Sequence, residues 1–380
     1  MDAPHRTAIV AGGGIGGLAA ALALSARGWR VRVLEQAGAF GDAGSGLSLW
    51  PNGLRALDVL GVGEQVRAQA LSETQAGIKD ASGRWLSVTD TAEMERRYGT
   101  VVMIHRAALL DLLREALPSG VLETGTTVTS IDAGTGHVRV NDTLEADLLV
   151  GADGIRSTVR RTLWPDAPDP RYAGCTAWRT IVDADSSGSG GEYWGRGELV
   201  GVAPLPDGRT YLFAVASVPA GGRSPDTELA ELRRRFAHWH APIPALLDAA
   251  DENAVLRHDI HDLPPLRTFV SGRVALLGDS AHAMTPNLGQ GANQALEDAV
   301  TLAALLDVHP SVPEALTAYD RARRPRTQMI AERSRLVGTI ARLSWPPARA
   351  VRDRVMRVTP PSRMLAALAP VVAWLPPDVS

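Results

Sequence analysis

Three carboxylates stand where an apolar run gives way to a glycine-rich or helix-like stretch: Glu35 after RVRVL, Asp153 after LLVGA, and Asp279 after VALLG. In a parallel α/β sheet these junctions are strand ends, where ligands are held. The first has the fullest pattern. RTAIVAGGGIGGLAAALALSARGWRVRVLE reads as strand, glycine turn, helix and second strand, with Gly12, Gly14 and Gly17 in G-x-G-x-x-G spacing. Gly12 permits the tight turn, Gly14 clears a path for a pyrophosphate, and Gly17 lets helix and strand pack closely. The helix start offers free N–H groups and positive potential to phosphates. Glu35, near the expected separation of about 20 residues, can accept hydrogen bonds from an adenosine ribose. The pattern specifies a dinucleotide and leaves FAD and NAD open.

These junctions need a sheet to carry them, and the composition allows one. The chain has 380 residues, 45% of them hydrophobic, and a formal net charge of −3. That size suggests about two domains, and the charge gives no reason to expect a nucleic-acid partner. Cys175 is the only cysteine, which excludes an intrachain disulfide and a cysteine metal cluster; it fits a reducing, cytoplasmic setting. No metal site is expected. The N-terminal MDAPHRTAIVAGGG lacks a signal-peptide pattern, and no stretch reaches the roughly 18 apolar residues of a membrane span. MLAALAPVVAWLPP, Met364–Pro377, reads as a terminal helix docked on the body, with a membrane-surface segment as the alternative. RARRPR, Arg321–Arg326, follows a helical stretch and reads as surface charge.

The later junctions add ADLLVGADGIRSTVRRTL and RVALLGDSAHAMTPNLGQGAN, so GxGxxG, DG and GD motifs occur in order along nearly the whole chain. In this the sequence resembles the flavin-dependent aromatic hydroxylases, the single-component FAD monooxygenases of the para-hydroxybenzoate and salicylate hydroxylase type. The resemblance implies that Asp279 contacts the FAD ribitol. It associates Asp153, Gly154 and Arg156 with the pyrophosphate side and pyridine nucleotide use. It also places Arg106, in MIHRAALLDLL, near the FAD phosphate or ribitol. The implied cofactor set further includes Ile15, Gly16, Gln36, Gly46, Leu47, Val128, Pro286, Gly289, Gln290, Gly291, Ala292 and Asn293. The PNLGQGAN turn would bring backbone N–H groups and a helix N-terminus to the flavin, stabilising negative charge on the reduced ring. His282 reads either as a base or as a core histidine.

The fold implied is α/β: a Rossmann-like FAD-binding domain interleaved with a mostly β-sheet substrate domain, plus C-terminal helices. The cofactor segments are 1–72, 99–172 and 269–343; the substrate segments are 73–98 and 173–268; residues 344–380 form a helical end. Strand-like alternation in CTAWRTIVDA, GEYWGRGELVGVAPL and TYLFAVASV supplies the substrate layer. Trp178, Arg179, Tyr193, Trp194 and Tyr211 are candidates to meet substrate, with Leu49, Trp50, Pro286 and Leu288 as walls. PLPDGRTY resembles the strand turn of urate hydroxylases, in which a tyrosine orients an acidic substrate. Those relatives carry an arginine on the preceding strand where this chain has Leu199, and burying an anion beside leucine is costly. Arg179 or Arg196 could substitute from elsewhere. A mainly neutral aromatic or heteroaromatic substrate follows.

The implied chemistry uses FAD, NADPH or NADH, and O2: the nicotinamide reduces the flavin, and a C4a-hydroperoxide delivers one oxygen atom to a small-molecule substrate. Tyr211, His282 and water are the candidate bases. The same oxidant supports epoxidation or Baeyer–Villiger chemistry, which is the alternative, and a non-enzymatic flavin-binding protein is a further one. LSWPP at Leu343–Pro347 lacks the halogenase WxWxIP pattern. The oligomeric state is left open.

Overall fold

The computed structural model describes residues 6–39, 44–72, 77–134 and 136–378. The substrate segment drawn from residue 73 therefore begins, at 73–76, outside the described residues. A six-stranded sheet runs in the order Val270–Ser271, Val274–Leu276, Leu148–Gly151, Thr7–Ala11, Arg30–Glu35, Leu122–Thr124. Its pairs are parallel except at the Val270–Ser271 edge. The central strands TAIVA and LLVG are almost continuously apolar and buried, as a parallel sheet covered on both faces requires.

The helix Ile15–Ser25 packs against Gly291–Val308, and its alanine-rich surface permits the close approach. Glycine is required at two points beneath it. Gly12 has φ +104°, and a Cβ there would collide with the Ala152 carbonyl. A Cβ on Gly17 would fall on the Gly12 carbonyl oxygen. The strand exits at Ala11 and Gly151 are thereby locked side by side.

A seven-stranded sheet is ordered Leu256–Asp262, Arg171–Val182, Thr210–Ala216, Glu198–Pro204, Gly191–Trp194, Gly77–Asp80, Trp85–Val88. One face sends Trp178, Tyr193, Val200, Val202, Leu212 and Ala214 into a core under helices Glu228–Phe236 and Ile243–Ala249. By strand alternation the other face carries Arg179, Glu192, Trp194, Leu199, Tyr211 and Phe213. The strands Gly46–Leu49 and Val102–His105 lie under its Tyr211 end: a Cβ on Gly46 would come within 2.9 Å of the Tyr211 ring.

The C-terminal part is helical: Val312–Ala341, Pro346–Val358 and Pro361–Val372. The last of these is docked, as its sequence suggests. Val371 and Val372 are buried, and Arg55 donates to the Val372 and Trp374 carbonyls. Among the described residues no helix is long and apolar enough to cross a membrane.

RARRPR departs from the sequence reading. It lies inside the helix Val312–Ala341, and Arg323 is fully buried. A buried guanidinium demands acidic partners, and the facing helix provides Glu297 and Asp298. The signal was present in QALEDA, but only long-range pairing connects the two segments.

Candidate active site

At the first junction, Glu35 accepts hydrogen bonds from the Gly13 amide at 2.6 Å and the Ala37 amide at 2.8 Å. One carboxylate oxygen thus sits against the glycine turn, with lone pairs remaining for hydroxyl donors. The adjacent helix has no acidic residue in its first turn, so its positive end is uncompensated. Nothing lies within 4 Å of a Cβ built on Gly14. Ile15, Val128 and Gly16 support this geometry by packing: the first two are in the core, and Gly16 abuts Leu277. Gln36 is exposed just past the strand.

At the second junction, Asp153 accepts from the Thr158 amide at 2.6 Å and the Val159 amide at 3.1 Å, fixing the helix Thr158–Leu163. Its other oxygen is buried without a partner. Gly154 follows with φ +78°, turning the chain away from the strand. Arg156 is exposed, whereas Arg160 is buried and donates to the Ser280 carbonyl at 2.8 Å, tying the second junction to the third.

The third junction places Asp279 at an exposed position on the rim of a cavity of about 810 Å3, shared with Arg156, Arg179, His258, Met284 and Pro286. Arg106 opens the helix Arg106–Glu115, its backbone amide held by the Ser45 carbonyl. Burial lowers the Arg106 pKa, opposed by attraction to Asp279 and reinforced by repulsion from Arg179. Burial raises the Tyr211 pKa, against the influence of Arg179 and Arg106. His258 is lowered by burial and by Arg179. Arg106, Arg179, Tyr211 and Asp279 therefore converge electrostatically, from four distant parts of the sequence.

A buried polar network fixes the glycine turn behind them. Asn293 accepts from the Trp50 amide at 3.0 Å and donates to the Ser48 and Gly289 carbonyls. Gln290 joins Asn52 and Gln294, and both of these reach Glu297. Gly289 is left-handed, with φ +60°, and Gly291 and Ala292 begin the helix. Asp298 accepts from the Gly278 amide at 2.9 Å and lies 2.6 Å from His282 Nε2. Burial works to raise its pKa, but His282 and Arg323 overcome that and hold it at about 2. His282 is 3% exposed, inside the core. Of its two sequence readings, this placement is that of a core histidine.

The sheet face above is of different character. Leu199 is buried with Trp194, Val215, Cys175, Ile260 and Ala341. Tyr211 packs with Met103 and Leu205, its ring 5.7 Å from that of Phe213. Trp178 and Tyr193 belong to the opposite face, and Arg196 is exposed. Leu49 is fully buried, while Leu47, Trp50 and Leu288 retain partial exposure.

Glu192 was missed by sequence reasoning. It pairs across Gly201, which pairs with Phe213, and any Cβ at Gly201 would collide with the Phe213 ring. The ring therefore leans over Gly201 toward Glu192. That carboxyl accepts from Trp194 Nε1 at 2.7 Å, and burial, opposed only by this bond, raises its pKa. Alternation would have put Glu192 on the Trp194 face, but GEYWGRGE gave no reason to weigh it above Glu198.

The parallel sheet, the open glycine turn and three carboxylates at strand exits of one sheet define a dinucleotide-binding protein. The residues fit FAD: an open helix start for pyrophosphate, Glu35 at the second strand end, and Arg106 within electrostatic reach of Asp279. A family model described as an FAD binding domain matches residues 5–334. The aurachin C monooxygenase/isomerase of Stigmatella aurantiaca is 40% identical over 370 residues, covering 94% of this chain and 95% of that protein. The 3-amino-4-hydroxybenzoate 2-monooxygenase of Streptomyces cremeus is 36% identical over 394 residues, covering 99% and 98%. The crystal structure of Klebsiella pneumoniae HpxO complexed with FAD and uric acid matches with TM-score 0.92 at 30% identity, covering 97% of each chain. The chain belongs to the FAD-dependent aromatic hydroxylases, and it is an FAD-dependent monooxygenase by class.

Proposed function

We propose that this enzyme uses NADH or NADPH and O2 to insert one oxygen atom into a mainly neutral aromatic or heteroaromatic substrate. The six-stranded sheet would carry the cofactor and the seven-stranded sheet the substrate. FAD, when bound, supplies the redox chemistry. Glu35 and the Gly12–Gly17 turn would hold its adenosine and pyrophosphate, Asp279 and Arg106 its ribitol region. The amides at Gly289–Ala292 would face the ring. The apolar wall around Leu199 and Phe213 would exclude water, which otherwise diverts oxygen to H2O2.

The observation that carries the neutral-substrate reading is the pairing of Leu199 with Trp194 and Val215, an apolar patch on which Arg352, stacked over Trp194, is already bonded to Asp353 and the Ala341 carbonyl. Glu192, a half-buried acid on the same face, adds to it: its carboxyl would exchange a hydrogen bond with a ring N–H or carbonyl. Arg179 favours a second reading. It faces the cavity near Tyr211 with no carboxylate hydrogen-bonded to it among the described residues, and could anchor a phenolate or carboxylate.

The two readings separate in one assay. NADH or NADPH oxidation is measured with a 4-quinolone, an indole, uric acid and 3-amino-4-hydroxybenzoate, followed by mass analysis for one added oxygen. Coupled turnover of the neutral rings is the expected result. Coupled turnover confined to the anions, and lost in Arg179→Met, establishes the second reading instead.

A further inference from the structure

The segment Trp345–Arg363 holds five arginines against one aspartate, in a chain whose net charge is −3. That aspartate, Asp353, is already bonded to Arg352 at 2.8 Å. The helix Pro346–Val358 has two unlike faces. Arg352 and Met356 turn inward: the guanidinium caps the Ala341 carbonyl at 2.8 Å and stacks on Trp194, and Met356 packs beside Leu199. Outward, at positions i, i+4 and i+7, Val351, Val355 and Val358 are 64%, 54% and 67% exposed. Trp345, 68% exposed, precedes the helix, and Leu336 and Ile340 are exposed on the last turns of the helix it caps. A row of bare β-branched residues and an exposed indole is not needed by the fold, and such patches mark interaction surfaces.

From this we propose that the outward face of Pro346–Val358, with Trp345, binds the surface of an anionic lipid bilayer. The warrant is charge complementarity. Arg354 borders the valine row and Arg349 and Arg363 lie toward its two ends, the arrangement of a helix lying in the headgroup plane, while Arg357 is held by Asp80 at 3.1 Å. A symmetric contact between two copies would bring the same arginines together, since an isologous interface joins a patch to itself. The helix's inner face covers Trp194 and Leu199, so the outward face stands clear of the cavity that Arg179 and Asp279 line. The binding itself does not depend on which substrate is used.

The test uses FAD-loaded full-length protein sedimented with phosphatidylcholine vesicles, with or without phosphatidylglycerol at a molar ratio of about three to one. Retention on the anionic vesicles should exceed that on pure phosphatidylcholine by about tenfold and should fall at high salt. Val351→Asp/Val355→Asp should abolish it while FAD content and the flavin absorption spectrum stay unchanged. Equal retention on both vesicle types, or none on either, overturns the proposal. So does a wild-type dimer in solution that the double variant dissociates, with no vesicle binding; the face is then a contact between copies. Loss of FAD in the variant would call for Trp345→Ser, which touches no cofactor element, with the same vesicle outcomes decisive.

Discussion

We read the Pro286–Ala292 turn with its supports as the floor of the site and the Leu199 sheet face as its roof, and the two are built on opposite principles. Beneath the Pro286–Ala292 turn, Arg323 bonds Asp298 at 2.6 Å and Glu297 at 2.5 Å, Arg326 bonds Glu297, and His282 bonds Asp298. This is a dense ionic lattice with nearly every group matched. On the sheet face above, Leu199, Val215 and Trp194 make an apolar wall, and among the described residues Glu192 is bound only by an indole N–H. Ionic lattices of this kind fix register, because every displacement unpairs a buried charge. Apolar walls tolerate reshaping. A rigid floor would hold one cofactor, and an adaptable roof would let related chains accept different rings.

The comparison breaks first at Arg323. Arg323→Met leaves Glu297 and Asp298 short of a countercharge, and removing one partner of a buried pair costs about 3–5 kcal/mol. Urea unfolding of the FAD-loaded protein should show that loss, with FAD released earlier in the titration than in wild type. A change below about 1 kcal/mol would mean the lattice is dispensable and the floor no more rigid than the roof.

Asp279 tests the floor where it meets the cofactor. It is exposed on the cavity rim, so Asp279→Ala should leave the apoprotein's stability within about 0.5 kcal/mol. FAD binding should weaken by about 1.5–3 kcal/mol through lost charge-assisted hydrogen bonds. Fluorescence titration of apoprotein with FAD measures this directly. Unchanged affinity would remove Asp279 from the cofactor's contacts.

The same contrast explains what could be read before the fold was known. Gly12, Gly14, Gly17 and Glu35 lie within one βαβ unit, so backbone sterics and short spacing specify their arrangement. Asp153 and Asp279 were legible because each ends an apolar strand. The lattice was not: Arg323 meets Asp298 only when two long helices pack, and RARRPR alone looks like solvent-facing charge. The roof was legible in part. Alternation identified the strands, but which face meets the cavity depends on register, and that is why Trp178 and Tyr193 could not be separated from Tyr211. Glu192 became visible only through its lateral row with Gly201 and Phe213.

Glu192 sharpens the account of the roof. Burial raises its pKa from the ordinary carboxylate value, against the Trp194 hydrogen bond. For an acid of raised pKa, the folded state is favoured at low pH and loses stability as pH rises through the folded value. A ligand bonded to the neutral acid should bind with the same dependence. Glu192→Gln keeps the shape and cannot ionise. It should flatten that pH limb and change neutral-ring affinity by no more than about tenfold. Flavin difference spectra recorded across pH for both proteins give the answer. An identical pH profile would place Glu192 outside the substrate's reach.

The smallest structural effect, and the finest test of the roof, is at Tyr211. Its ring is fixed by Gly46, Met103 and Phe213, while its hydroxyl has no hydrogen-bond partner among the described residues. Tyr211→Phe therefore removes nothing the fold relies on, and stability and FAD content should stay within about 0.5 kcal/mol of wild type. If the hydroxyl directs one polar atom of the substrate, losing it costs about 0.5–1.5 kcal/mol of positioning. That loss should appear as misplacement: nicotinamide oxidation continues, product per nicotinamide falls, and H2O2 rises to balance it. Product and H2O2 are quantified together over one time course. Full coupling in Tyr211→Phe would show that the aromatic wall alone orients the ring, and would leave Glu192 and Arg179 as the polar groups to be tested against each other.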